Sequence, residues 1–297
     1  MADIQALRTQ KYSDNLELLS QQMKPKLATR CKVQSAVGSK AFRMLSQLDE
    51  TEAVDITTSA TPAMNVDIEH DGRWVYPSKK GWGKVVDELD LLQTNIAPQG
   101  AYVTAAISAL NRKQDDQFTS AYFGLAQTGE TGATSTSFDS NNVVAVDYGG
   151  STEGLTVAKL RAALEILSKN DVDLDMEMPI LAVSPKQYYG DLMALTQVTS
   201  TDFNPQDRPV LVDGKIKQFL GMEIVISNRL PTDSSDYRRL PIWVPSGMGC
   251  GVWKDVFGRI RRRPDLQNNP AYAEAGYMKG FTRLEEAKCI EVKCSEV

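Results

Sequence analysis

Histidine is almost absent: His70 is the only one in 297 residues. That excludes a multi-histidine metal site. Any serine or cysteine triad would have to use a residue beside Asp71-Gly72, a dipeptide suited to a tight hairpin turn because Gly tolerates positive φ. His70 therefore reads as an exposed turn residue, not a general base. Cysteine is sparse as well: Cys31, Cys250, Cys289 and Cys294, with no C-x-x-C spacing, do not make a disulfide framework. If residues 288–294 form a strand, Cys289 and Cys294 point to opposite faces and cannot share a metal. The four thiols read as buried and idle. No apolar run approaches the roughly 20 residues of a membrane-spanning helix, and the N-terminus lacks the basic-then-apolar pattern of a signal peptide. A soluble protein made in a cytoplasm is the expectation. G-x-x-x-x-G-K-[ST] does not occur, which excludes a P-loop nucleotide site, and neither an internal repeat nor a heptad run is present.

The motifs that remain are weak. GMGCG (Gly247–Gly251) lacks the third glycine spacing of a dinucleotide loop and no βαβ unit follows, so it reads as a tight turn between strands. DVDLD (Asp171, Asp173, Asp175) begins like a calcium loop, but Met176 stands where the glycine belongs and Ala182 where the glutamate belongs. It reads as a solvated acidic connection. Asp115 and Asp116 could be mistaken for paired catalytic carboxylates; at helical spacing, Arg112 and Asp116 form an i,i+4 ion pair. No cofactor is implied.

Charge is unevenly distributed. The first 43 residues carry eight Lys/Arg against three Asp/Glu, and the remainder 25 against 35. A basic arm on an acidic body meets something anionic, or docks on its own body or a neighbour's. Lys24, Lys26, Arg30 and Lys32 are the arm's candidate inner-face cations. RIRRR is the densest basic run; in a strand, Arg259, Arg261 and Arg263 share one side. Intersubunit ion pairs are the favoured use of that stripe. Contact with DNA would be phosphate-directed and without sequence preference.

The elements outline an α+β chain. VDIEH and RWVY flank the turn dipeptide, and residues 44–92 read as a long two-stranded excursion, which needs something to lie on. Trp74, Tyr76 and Trp82 gather among Lys79, Lys80 and Lys84, a cluster suited to meeting another subunit. A long helix starts near Pro98, with Tyr102, Ala106, Leu110, Gln114, Phe118 and Tyr122 on one face, joined by Val103, Ile107, Ala121 and Leu125. Short strands are expected at Val143–Val146 and Pro179–Val183, and a helix over LTVAKLRAALEILSKN. Ser184-Pro185 opens another helix through Leu195. Residues 214–227 form a hairpin-like pair with Met222, Ile224 and Ile226 on one face. LPIWVP, VWKDVFGRIRR and AKCIEVKC supply the last strands.

In this order, RWVYP with ELD, LNRKQDD, ILAVSPKQYYGDL, TSTDFN, VDGKIKQFLGMEIVISNRLP and GFTRLEEAKCIEVKC resemble the major capsid proteins of tailed bacteriophages, from Asp49 to Cys294. The resemblance implies the Hong Kong 97-type fold. It divides the chain into an N-terminal arm (1–45), an extended hairpin loop (46–92), a peripheral domain with the spine helix (93–150), an inserted axial domain (151–245) and C-terminal strands of the peripheral domain (246–297). It implies a non-enzymatic subunit that forms hexamers and pentamers of an icosahedral shell around double-stranded DNA. The partners implied are further copies of the chain, a scaffolding protein, a portal and a decoration protein, with no membrane. The place implied is the virion head, assembled in the bacterial host cytoplasm. No motif places the lysine–asparagine crosslink of some relatives, and the short arm favours a separate scaffolding protein without processing.

Within this reading Trp74, Tyr76 and Trp82 are the hairpin-contact candidates, and Arg112, Asp116, Arg259, Arg261 and Arg263 the interface electrostatics. The rival on the same fold is an encapsulin-like compartment enclosing protein cargo. The rival of another class is a soluble enzyme using carboxylates.

Overall fold

The computed structural model describes residues 20–48, 53, 55, 70–86, 99–150, 152–195, 211–212 and 215–296. In chain order the strands are β1 (Lys32–Ser35), β2 (Phe42–Leu48), β3 (His70–Val75) and β4 (Ser78–Val86) before the long helix α1 (Gln99–Phe123). Next come β5 (Ala126–Thr128), β6 (Thr134–Thr136), β7 (Val143–Val144), helix α2 (Val157–Lys169), β8 (Ile180–Val183) and a π turn at Gln187–Leu192. The remainder holds β9 (Leu211–Val212), β10 (Lys215–Ile216), β11 (Gln218–Phe219), β12 (Met222–Ile226), β13 (Arg238–Trp243), β14 (Met248–Arg262), β15 (Ala271–Arg283) and β16 (Cys289–Cys294).

These elements form two compact units. One comprises the described parts of Met1–Lys24, Lys79–Arg112 and Asp255–Tyr277; the other is built from Pro25–Ser78, Lys113–Lys254 and Met278–Val297. In the first, Ala106 and Leu110 of α1 bury against Ala275 and Tyr277 of β15, with Trp82 and Val256 at the margin. Gly258 permits this approach: a Cβ there would lie 2.7 Å from Val103 of the helix.

The core of the second unit surrounds a six-stranded sheet of order β11-β12-β8-β13-β16-β7. β8 runs parallel to β12 and antiparallel to β13, and all four of its residues are buried. A strand covered on both faces reads as a continuous apolar run, which is why PILAV was legible. Leu160 and Leu167 of α2 and Phe118 and Tyr122 of α1 belong to this core with Trp243 and Ile290. The α2 ends are built locally. Thr156 caps the first turn by accepting from Lys159 N at 3.4 Å. At the other end Asp171 N donates to Ser168 O and Val172 N to Leu167 O, with Asp171 at φ 53°. This is a Schellman ending, in which the left-handed residue is usually glycine.

Several expectations are corrected. Asp71-Gly72 is not a turn: both residues lie inside β3, opposite Gln47 and Ser46 of β2, and His70 is strand as well. The Arg43 guanidinium occupies the space beside Gly72, 2.3 Å from where a Cβ would stand, so a side chain there would displace it. The excursion is likewise not one pair, since β4 joins the sheet β1-β14-β15-β4 and β2 and β3 belong to β2-β3-β5-β6. Residues 56–69, 87–98 and 196–210, with ELD, Pro98 and TSTDFN, lie outside the described residues. Leu125 falls beyond the end of α1 and is 63% exposed. Only Gly247 of GMGCG belongs to a turn, and Met248 to Gly251 are already β14. The strand expected to reach Val146 ends at Val144.

The turn opened by Ser184 widens to π geometry, with Met193 N donating to Tyr188 O at 3.1 Å. Its start is a reciprocal cap: Gln187 Oε1 accepts from Ser184 N at 3.0 Å while Gln187 N faces Ser184 Oγ at 3.4 Å. In β12 the buried residues are Met222 and Val225, and Ile224 and Ile226 pack at the margin. The alternation of Met222, Ile224 and Ile226 as one buried face therefore does not hold.

Candidate functional site

The three aromatics do not form one patch. Trp74 Nε1 donates to Gly129 O at 2.8 Å and Tyr76 OH to Gly132 O at 3.3 Å. Asp71 Oδ1 accepts from Gly129 N at 2.9 Å. Together these groups hold the 129–132 turn onto β3. Trp82 belongs to the other unit and packs on α1. Tyr76, 49% exposed, is the member of the trio that faces solvent.

The expected Arg112–Asp116 ion pair is replaced. Arg112 Nη1 donates to Gln21 Oε1 at 2.6 Å, and Asp116 faces Lys113 at 3.7 Å and Arg229 at 3.6 Å. An exposed i,i+4 pair contributes only about 0.3–0.5 kcal/mol, so tertiary partners displace it easily.

Arg259 and Arg261 share one side of β14, as strand alternation requires, Arg263 lies just beyond its end, and all three are paired within the chain. Arg259 bonds the Glu274 carboxylate, Arg261 reaches the same carboxylate at 3.3 Å, and Arg263 pairs with Asp265. Arg261 and Arg263 also lie over the Tyr272 ring, at 5.4 and 5.5 Å. Two guanidiniums on one carboxylate leave an excess positive charge on this ribbon.

The basic arm is docked from Gln21 onward. Lys26 Nζ donates to Ile226 O at 2.9 Å, and Arg30 pairs with Glu223 at 2.7 Å. Trp243 Nε1 donates to Arg30 O at 2.8 Å. Lys24 and Lys32 are exposed. The anchor is Asp115, wholly buried in mid-helix, whose carboxylate accepts from Lys26 N, Leu27 N and Ala28 N at 3.0–3.1 Å. Sequence reasoning missed that role. The available signal was a carboxylate next to the buried face of the helix.

Two other buried cations were missed. Lys159 donates to the carbonyls of Glu153, Gly154 and Lys293 at 2.7, 3.0 and 3.3 Å, tying the start of α2 to β16. Arg283, fully buried, pairs with Glu286 at 2.8 Å and collects carbonyls at the end of α1. Tyr122 OH sits between Ile242 O and Ile290 O, at 2.7 and 2.8 Å. Burial holds its phenol well above the ordinary range.

None of this is equipped for catalysis by the usual routes. Burial pushes the Cys289 thiol up and the Cys294 thiol to about 12, so neither is a ready nucleophile. Asp173 Oδ1 accepts from Asp175 N and Met176 N at 3.0 and 3.2 Å, a local turn rather than a calcium loop. Among the described residues no group of three or more His, Cys, Asp or Glu is placed to hold a metal, and no helix is long and apolar enough to cross a membrane.

The family model for phage capsid proteins matches residues 4–296. No curated protein matches the chain. Among solved structures, the capsid of cyanophage P-SCSP1u is similar over 99% of this chain and 94% of its own, at 14% identity and TM-score 0.75. A structure of Mycobacterium phage Che8 is similar over 96% of both chains, at 16% identity and TM-score 0.70. The capsid of the native GTA particle is similar over 99% of this chain and 97% of its own, at 13% identity and TM-score 0.66. These likenesses establish a Hong Kong 97-like fold, and the family favours a phage shell over an encapsulin-like compartment and a structural role over an enzymatic one. The chain belongs to the phage capsid protein family and is a major capsid protein of the virion head.

Proposed function

We propose that copies of this chain close, through repeated heterologous contacts, into hexamers and pentamers of an icosahedral head that encloses double-stranded DNA. The observation that carries the reading is the family match along almost the entire chain. The basic character of the first 43 residues supports a non-specific electrostatic role for the arm at the inner surface, with Lys24 and Lys32 exposed. Residues 46–92 act as the excursion over a neighbour, 1–45 as the arm and 151–245 as the axial portion. The parts at 93–150 and 246–297 act as the peripheral frame. Tyr76 and the Arg259–Arg261–Arg263 ribbon meet adjacent copies. A scaffolding protein, a portal and a decoration protein complete the particle in the host cytoplasm.

The test is negative-stain microscopy with light scattering on the chain expressed alone and with candidate scaffolds, followed by analysis of particle contents. Closed shells or rings of five and six are expected, and shells from infected cells contain DNA. A chain that stays monomeric under every combination would overturn the reading.

A further inference from the structure

The six-stranded sheet carries a groove toward one edge and a projection at the other. Helix α2 packs over β16 and β7, the strands at one side of the sheet. The turn that follows β7 brings Tyr148 beside the exposed face of this helix. There Tyr148, Ala158, Arg161, Leu164, Glu165 and Ser168 line an open groove of about 500 Å³. Glu165 is paired with Lys169 at 2.7 Å, whereas Arg161 is exposed and makes no ion pair among the described residues. The groove therefore combines apolar walls with a positive charge that nothing in its own copy offsets.

The projection is the loop between α2 and β8. Met176 is 81% exposed, more than any other large apolar side chain among the described residues. Met178 is held at the β11 edge, where Gln218 Nε2 donates to its Sδ at 3.4 Å, and Leu220 in the β11–β12 turn is exposed as well. Glu177, between the two methionines, accepts from Ser246 N at 3.1 Å, so Met176 stands next to a pinned residue. Asp173 and Asp175 are exposed on the same loop. β11 and β7 are five strand spacings apart, about 24 Å. Held at β11, the projection lies away from the groove of its own copy.

From these two edges we propose that Met176 of one copy enters the groove between Tyr148, Arg161 and Leu164 of a second copy. An exposed apolar side chain on one face and an apolar groove on the other are complementary, and each leaves water when they meet. Methionine suits the role because its unbranched thioether adapts to an irregular gap. Asp173 and Asp175 bring negative charge to Arg161, which selects this orientation over a like-charged one. The two patches are different surfaces of one chain, so the contact is heterologous. Repeated by a rotation, it closes into a ring in which every groove is filled. The inference rests on the shell reading and names one contact by which copies would join.

The test is to introduce Ala158→Cys and Met176→Cys together in the full chain, form particles with the scaffolds that support assembly, and treat them with a short bismaleimide. The expected result is a ladder of linked chains on a denaturing gel, ending at five and six, with digestion and mass spectrometry joining positions 158 and 176. Neither single variant should give that ladder. Met176→Glu, at a side chain exposed in the free chain, should leave the urea midpoint unchanged while raising the concentration needed for assembly by about tenfold or more. Particles that form without the link, or a Met176→Glu chain that assembles like the parent, would overturn the contact and leave the shell reading intact. Linked pairs alone would also overturn it, because they indicate an isologous contact. A parent chain that forms no particles under any combination would overturn the shell reading and this contact with it.

Discussion

The guanidinium of Arg283 donates to the main-chain oxygen of Tyr122 at 2.5 Å, closing the C-terminal end of α1 from a strand far along the chain. The same Nη1 reaches Ala121 O at 3.2 Å and Gly124 O at 2.6 Å, while Nη2 reaches Thr136 O at 3.2 Å. A helix ends with unsatisfied carbonyls and a partial negative charge, so a buried cation there satisfies both. Glu286 neutralises it from the other side.

Replacing Arg283 with Met leaves those carbonyls and the Glu286 carboxylate without their donor. Breaking a buried pair in this way costs about 3–5 kcal/mol. The expected outcome is a large drop in the urea midpoint of the soluble chain, with Arg283→Lys recovering only part, since an ammonium lacks the planar fork. A midpoint within error of the parent would show that the helix end does not depend on this residue.

Asp115→Asn keeps the shape and one acceptor oxygen, but removes the charge and replaces Oδ2, which accepts from Lys26 N at 3.0 Å, with an amide donor. Hydrogen bonds to a charged group contribute about 1.5–3 kcal/mol, so a loss of that order is expected, concentrated in the arm. Limited proteolysis should show faster cleavage within residues 20–36, where the carboxylate holds the Lys26, Leu27 and Ala28 amides. Arg112→Ala, which removes one contact to Gln21, serves as the milder comparison. Equal cleavage rates in parent and Asp115→Asn protein would remove the anchor role.

Asp171→Gly is expected to stabilise. Asp171 has φ 53° at the end of α2, in the left-handed region that an L side chain rarely adopts. Glycine adopts this region without steric cost, although it adds unfolded-state freedom; the net gain should be up to about 1 kcal/mol. Calorimetry should show a raised midpoint, and a lowered one would mean that the aspartate side chain contributes more than its backbone costs.

Glu296 carries a pH dependence. Its carboxylate accepts from Arg238 Nη2 at 2.7 Å, from Ser184 Oγ at 2.6 Å and from Gln187 Nε2 at 3.1 Å. Arg238 chiefly, then Ser184, holds it below the ordinary glutamate range. A depressed carboxylate contributes stability that is present above its unfolded pKa and is lost as pH falls through the folded value. The stability difference between the parent and Glu296→Gln should therefore be constant near neutrality and shrink in acid, below the usual glutamate titration. A difference that stays unchanged from neutral into strong acid would contradict this.

How much of this was legible varies with the range of the interactions involved. The α1 face through Ala106, Leu110, Phe118 and Tyr122, the α2 stripe and the buried β8 run follow from periodicity, because burial of one face imposes its spacing on the chain. The spacing of Arg259 and Arg261 likewise set both beside Glu274 from one side of β14. The ordered motifs also carried the family resemblance.

Partners across long sequence separations were not legible. Nothing near Asp115 says that it will hold the amides of Lys26 to Ala28, and nothing near Arg283 says that it will close α1. Asp71-Gly72 misled for the same reason: the local signal of a turn is a small residue with backbone freedom, and here the small residue makes room for Arg43. The sequence by itself determined α1 and α2, the faces those helices bury and the buried run of β8, since those depend on neighbours a few residues away. Only the tertiary structure decided which carboxylates and cations are interior anchors and which aromatics hold turns, because a buried charge persists only where distant backbone or opposite charge converges on it.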